Sequence, residues 1–192
     1  MSPARKRPAR PVPIFQIKVT LEHIEPATWR RLLLPSNLNL GKLHHVIQEA
    51  MGWTNSHLHQ FILRDRRIGD LRADDSGELE FEDEKKLKLD QLVGPGQSIR
   101  YEYDFGDGWN HEVLVEKAIE PDERIHYPIC VAGARACPPE DCGGPPGYEN
   151  LVDALQDTEH DEHDQLLTWV GGLFDPESFD VNAVNRRIWQ LK

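Results

Sequence analysis

Residues 14–24 alternate apolar and polar positions, with Phe15, Ile17, Val19 and Leu21 on one face, as a half-buried strand does. Pro26 interrupts that run. Residues 28–34 (TWRRLLL) resume it until Pro35, and the two strands pair most economically as an antiparallel hairpin. The period then changes. Leu40, Leu43, Val46, Ile47 and Ala50 recur at helical spacing, Asn37 or Asn39 can cap the start, and Gly52 ends the helix near Met51. His44 and His45 lie about 100° apart on it, so one is half-buried and the other solvated. Residues 57–63 (HLHQFIL) read as a strand with His57, His59 and Phe61 on one face. Residues 98–105 and 112–118 read as two more strands. Between them Gly106, Asp107 and Gly108 supply a tight hairpin, with Asp107-Gly108 as its two-residue turn.

The second half reads differently. Residues 120–148 are too rich in Pro and Gly for a regular element, yet Cys, Tyr and Ile mark the loop as ordered and functional. A helix follows over 148–155. Thr158 is expected to cap another, with Asp161 three residues on, and Leu166, Leu167, Trp169 and Val170 as its apolar side. Gly171-Gly172 stops it. Asp180 caps a last helix with Val181, Val184, Ile188 and Leu191 inward. A short helical turn is expected over 87–93. The sum is an α+β fold: a single domain over residues 14–192, a mostly antiparallel sheet with one inserted helix, and a helical C-terminus.

Charge narrows the function classes. The chain of 192 residues has a net charge of −11. Residues 1–12 carry Arg5, Lys6, Arg7 and Arg10 and no acid, which leaves −15 on residues 13–192. A body that acidic repels a polyphosphate backbone, which argues against broad nucleic-acid binding by the domain. Residues 1–13 are read as a disordered basic tail, and only that tail suits DNA or an acidic partner. Residues 74–84 hold seven acids, Asp74, Asp75, Glu78, Glu80, Glu82, Asp83 and Glu84, without the spacing of a calcium loop; they read as a solvated loop or edge strand. No apolar run spans a membrane, no secretory signal opens the chain, and three cysteines form no disulfide framework, so the reading is cytoplasmic.

Two sets of side chains carry candidate chemistry. His57, His59, Asp104, Asp107 and His111 combine imidazoles and carboxylates near the hairpin, a set suited to a divalent metal that lowers the pKa of a bound water. Structural roles are the alternative: turn chemistry for Asp107, bonds to backbone amides for Asp104, core packing for Trp109, and a strand face for His111. His126, Cys130, Cys137 and Cys142 offer one imidazole and three thiols within seventeen residues, which would hold zinc. They lack a Cys-x2-Cys knuckle, and the other reading is that the cysteines are small buried hydrophobes. Glu140 and Asp141 either border the same groove or bond loop amides.

The order Trp29-Arg30-Arg31, Leu43-His44, Met51-Gly52-Trp53, His57-Leu58-His59-x-Phe61, YDFGDxWxH over 103–111 and CPPEDCGG over 137–144, then Gly147-Tyr148 and Phe179-Asp180 with Asn185, resembles the plasmid pRiA-type ORF-three-like family. Its members are also labelled passenger TnpR-like proteins of insertion elements. The resemblance covers about residues 14–190 and implies one α+β domain, found in bacteria and archaea, often near mobile elements. It supplies no mechanism. A recombinase needs a nucleophile ringed by arginines and a basic DNA-binding module, and neither is present in the acidic domain, so the TnpR label reads as gene neighbourhood. The resulting expectation is an interaction domain with a polar groove for a protein, peptide or small ligand. The alternatives are a metal-dependent hydrolase centred on the His/Asp set, with zinc or another divalent cation as cofactor, and a DNA-associated accessory protein acting through its tail.

Overall fold

A computed structural model describes residues 11–72 and 81–191. The basic residues Arg5, Lys6, Arg7 and Arg10 and the acids Asp74, Asp75, Glu78 and Glu80 lie outside the described residues.

Eight strands form one sheet: β1 (Ile14–Leu21), β2 (Trp29–Pro35), β3 (His59–Leu63), β4 (Arg66–Gly69), β5 (Glu82–Asp83), β6 (Ser98–Tyr103), β7 (Trp109–Ile119) and β8 (Ile129–Ala134). Their order is β5-β4-β3-β6-β7-β1-β2-β8. Every pairing is antiparallel except β4 with β5. Four helices accompany it, α1 (Leu40–Met51), α2 (Gly144–Gln156), α3 (His163–Trp169) and α4 (Val181–Ile188), with a 3-10 turn over Leu89–Gln91. This is the expected α+β domain. Among the described residues no helix is long and apolar enough to cross a membrane.

Alternation does the sorting. Ile17, Val19 and Leu21 of β1 and Leu32 and Leu34 of β2 enter one core with Leu40, Leu43 and Ile47 of α1. The side chain of Asn39 accepts from the Lys42 amide at 2.8 Å to start α1, and Gly52, at φ +95°, ends it in the left-handed region open to glycine. Asp180 caps α4 on the amides of Asn182 and Ala183. His44 is buried and His45 is exposed.

Several expectations are corrected. Residues 120–148 are not wholly irregular: Ile129–Ala134 forms the edge strand β8 on β2, because Asn185 of α4 brackets Cys130 with one accepted and one donated backbone bond. α2 begins at Gly144 rather than 148, its first turn being compatible with two prolines. Thr158 caps nothing; α3 starts after Glu162 and buries no residue fully. The strand expected from His57 starts at His59, and the hairpin strands end at Tyr103 and resume at Trp109. The acidic run contributes the edge strand β5, but Glu84 at its end is buried.

Candidate functional site

Three segments distant in sequence meet beyond the β6–β7 turn: the loop after α1, the hairpin loop 104–108, and the loop 137–143 leading into α2. The hairpin loop has five residues, not two. Asp104 leaves the ladder at φ +55° and donates its amide to Leu58 O at 2.8 Å. Its Oδ1 accepts from the amides of Gly106 (3.0 Å) and Asp107 (3.3 Å). An aspartate tolerates this left-handed backbone because the side chain rebuilds the lost bonds locally. Its Oδ2 is left facing His57.

The 137–143 loop is tied down by Glu140. One carboxylate oxygen accepts from the Thr54 amide (3.0 Å) and the Thr54 hydroxyl, and the other from the Tyr103 hydroxyl. The Tyr103 oxygen in turn accepts from the Ser56 amide at 3.0 Å. Burial, reinforced by Glu140, pushes the Tyr103 phenol well up, so it stays a donor. Trp53 stacks on Tyr103 and donates from Nε1 to Pro138 O at 3.0 Å. Asp107 adds a second tie, accepting from the Gly143 amide at 3.1 Å. Replacing Glu140 with Gln puts an amide donor against one of these donors; we expect a loss of about 2 kcal/mol in urea unfolding. The same measurement on Asp141→Asn should show under about 0.5 kcal/mol, because that side chain is 71% exposed.

These ties bring together three ligand-type side chains. His57 Nδ1 is 3.6 Å from Asp104 Oδ2, and His57 Nε2 is 3.0 Å from Asp141 Oδ1. Ligand atoms of all three lie within 4.8 Å of one another. The His57–Asp141 approach is off the line of an aligned hydrogen bond, so Nε2 has close charge but no bonded partner. Asp141, at φ +60°, is held to this position by the Glu140 clamp beside it. One imidazole and two carboxylates from separate segments suit a divalent cation of intermediate hardness and leave coordination positions for another ligand.

His59 belongs to a neighbouring network. The strand starts only at His59, so the alternation does not extend to His57. The His59 ring stacks on His44 with centroids 3.4 Å apart, and its Nε2 lies 2.7 Å from the buried Glu84 carboxylate. His44 Nδ1 faces the Tyr101 hydroxyl (2.8 Å) and Nε2 faces Asn55 Oδ1 (2.7 Å), while Gln48 donates to the same hydroxyl at 2.9 Å. The only complete assignment has Tyr101 donating to His44 Nδ1 and His44 Nε2–H donating to Asn55, a neutral ring. Burial, with His59 and His45 nearby, holds the His44 pKa down to about 2. His44, His57 and His59 line one open cleft of about 580 Å³ at the start of α1, with Lys42 and Glu84. His57 is thus shared between the cleft and the three-ligand cluster.

The other candidates fall elsewhere. Trp109 and His111 are fully buried below the hairpin, not at its tip. His111 Nδ1 approaches Trp109 O (3.1 Å) and Tyr101 O (3.3 Å), and burial lowers its pKa to about 4. The proposed zinc ligands do not gather; among the described residues the group of three that does is His57, Asp104 and Asp141. The His126 ring lies edge-on to Trp189, and the Cys130 thiol donates to Ala132 O within β8. Cys137 is half-buried by surface, but its sulfur lies deep enough for burial to push the thiol well up, and Cys142 is pushed up to about 12. They behave as small hydrophobes. Sequence reasoning missed His44, Tyr101, Tyr103 and Glu84 as partners. The alternation of residues 98–103 signalled buried tyrosines, whose hydroxyls need partners.

The family described as "Plasmid pRiA4b ORF-3-like protein" matches residues 13–183. A relative from Sinorhizobium fredii (strain NBRC 101917 / NGR234), "Uncharacterized protein y4hQ", is 37% identical over 180 residues, 93% of this chain and 92% of that one. A crystal structure titled as a protein of unknown function, MM3350 from Methanosarcina mazei Go1, has the same fold with a TM-score of 0.82 and 37% identity, covering 90% of this chain and 96% of that one. Both the hairpin motif around Asp104 and the loop that carries Asp141 fall inside the matched span, and the chain belongs to the plasmid pRiA4b ORF-3-like family.

Proposed function

We propose that this chain is a ligand-binding module that holds a divalent cation between His57, Asp104 and Asp141, beside a polar cleft that takes the ligand. The observation that carries it is the convergence of three ligand atoms within 4.8 Å from segments 37 or more residues apart, with Asp104 held by the hairpin amides and Asp141 next to the Glu140 clamp. The plasmid reading frame in the family's description supports a role accessory to a mobile element.

Calorimetric titration with Mn²⁺ and Zn²⁺, after purification without chelator, tests it. The wild-type chain should bind about one equivalent, and His57→Ala and Asp141→Asn should each weaken binding by about tenfold or more while leaving the metal-free unfolding temperature nearly unchanged. Asp104→Asn is a poor probe, since that side chain also builds the hairpin loop. No saturable binding, or variants that bind like the wild type, would end this reading. Metal-dependent hydrolysis is the second reading. It is favoured by the sharing of His57 between the cluster and the cleft, since a cation with open positions beside a cleft can activate water.

A further inference from the structure

Of the seven buried side-chain polar atoms without a hydrogen-bond partner among the described residues, three belong to Arg135 and Tyr148, two side chains that border a cavity distinct from the His57 cluster. These atoms are Nε and Nη1 of Arg135 and the hydroxyl of Tyr148. The cavity, about 590 Å³, is bounded by the loop after β1, the start of α2 and Arg135 beyond β8. The Arg135 side chain is 8% exposed. A guanidinium carries five donors and cannot shed its charge, so such burial without bonded partners is costly. Among the described residues its one ion-pair partner is Glu177, with Oε1 at 3.1 Å from Nη2; that side chain is 69% exposed and easily displaced. Burial pushes the Tyr148 phenol up while the Arg135 charge draws it down, so the two groups are close but poorly aligned.

The rest of the lining sorts by chemistry. Ile24, Pro145, Pro146 and Val152 are apolar, and Glu25, Glu149 and Asp153 are exposed acids at the rim, with the exposed imidazole of His23 beside them. A simple anion would meet repulsion from these three carboxylates. A group with a carboxylate at one end and a cation at the other satisfies both zones.

We propose that this cavity binds a free α-amino acid with an apolar side chain. Its carboxylate takes the place of Glu177 on the Arg135 fork, a displacement that uncovers the buried guanidinium and the Tyr148 hydroxyl beside it, and its ammonium faces Glu25, Glu149 and Asp153. The cavity volume lies within the usual range for small-ligand sites. Planar bidentate recognition of a carboxylate is the use for which arginine, not lysine, is fitted.

Calorimetric titration of the full chain with L-leucine tests this. Saturable binding is expected, with leucinamide (no carboxylate) and 4-methylpentanoate (no ammonium) each at least about tenfold weaker. Arg135→Lys and Tyr148→Phe should weaken leucine by about tenfold and about threefold, and Glu177→Gln should tighten it, since it removes the competing carboxylate from an exposed position without touching the core. The Glu177 variant keeps the test decisive if Arg135→Lys fails to fold. Absence of saturable heat up to about 10 mM leucine, equal binding of leucinamide, or unchanged or weaker affinity in Glu177→Gln would each overturn the proposal and leave the wall a water-bridged structural contact.

Discussion

Acidification from pH 7 to 4.5 is expected to remove about 5 kcal/mol of folding stability through two buried histidines alone. His44 and His111 are held neutral in the fold, His44 down to about 2 and His111 down to about 4, from an ordinary value of 6.5. Burial is the first cause in both; His44 also stacks on His59, and His111, packed against the Trp53 and Tyr101 rings, meets backbone carbonyls at Nδ1. The sign follows from proton uptake. Below pH 6.5 the unfolded chain protonates both rings and the folded chain neither, so stability present above that value falls by about 1.4 kcal/mol per histidine per pH unit. The ion-paired carboxylates act in the same direction but later. Glu116, held down by Arg31, starts from an ordinary value of 4.5, so the interval from 6.5 to 4.5 reports the histidines. Urea unfolding with chelator present, at half-unit steps, should show this slope. His111→Asn keeps a donor near the Nδ1 position and should cut the slope by about half. An unchanged slope in that variant would show that His111 is not the proton acceptor.

How far the sequence predicted this arrangement depends on which interactions decided each element. The helix over residues 40–51 was legible because period, cap and terminal glycine agree. The β1–β2 hairpin was legible because both strands alternate around Pro26. The β6–β7 hairpin was placed correctly, but its turn was not, because Asp104 spends its amide on Leu58 and its carboxylate on the loop, and neither partner is visible in a local pattern. The same holds for β8. A strand so rich in glycine and alanine gains its place from Asn185, 55 residues away. At the site, His57, Asp104 and Asp141 all stand among the candidates for one groove, but the sequence does not separate these three from His59, Asp107, Trp109, His111 and Glu140. His59 was joined to His57 by assuming one continuous strand, and the cysteines were joined by spacing alone. Glu84 was hidden in a run of acids that reads as solvated, although Gly41 leaves room for its carboxylate beside α1. Tertiary pairing, not local preference, made those choices.

Gly144→Ala should be the most damaging small substitution in the loop that carries Asp141, with an expected cost of about 3–5 kcal/mol. Two penalties coincide there. Gly144 sits at φ +69°, and a Cβ would lie 2.3 Å from the Asp107 carbonyl oxygen, a backbone atom that cannot rotate away. The contact joins the start of α2 to the hairpin loop, beside the Asp107–Gly143 bond, so relief requires the two loops to separate. Two other glycines divide the effect. Gly147 has no positive-φ requirement, but its Cβ would approach the Cys142 carbonyl oxygen at 1.9 Å; Gly147→Ala therefore reports packing alone, at about 3 kcal/mol. Gly171, at φ +84°, has nothing within 4 Å, so Gly171→Ala reports backbone strain alone, at about 1 kcal/mol. Urea unfolding of the three variants should rank them Gly144, Gly147, Gly171. The cation titration should follow the first two but not the third, since separating the loops moves Asp141 away from His57. If Gly144→Ala lost no more stability than Gly171→Ala, the hairpin and the 137–143 loop would not be in rigid contact, and the positioning of Asp141 would need another source.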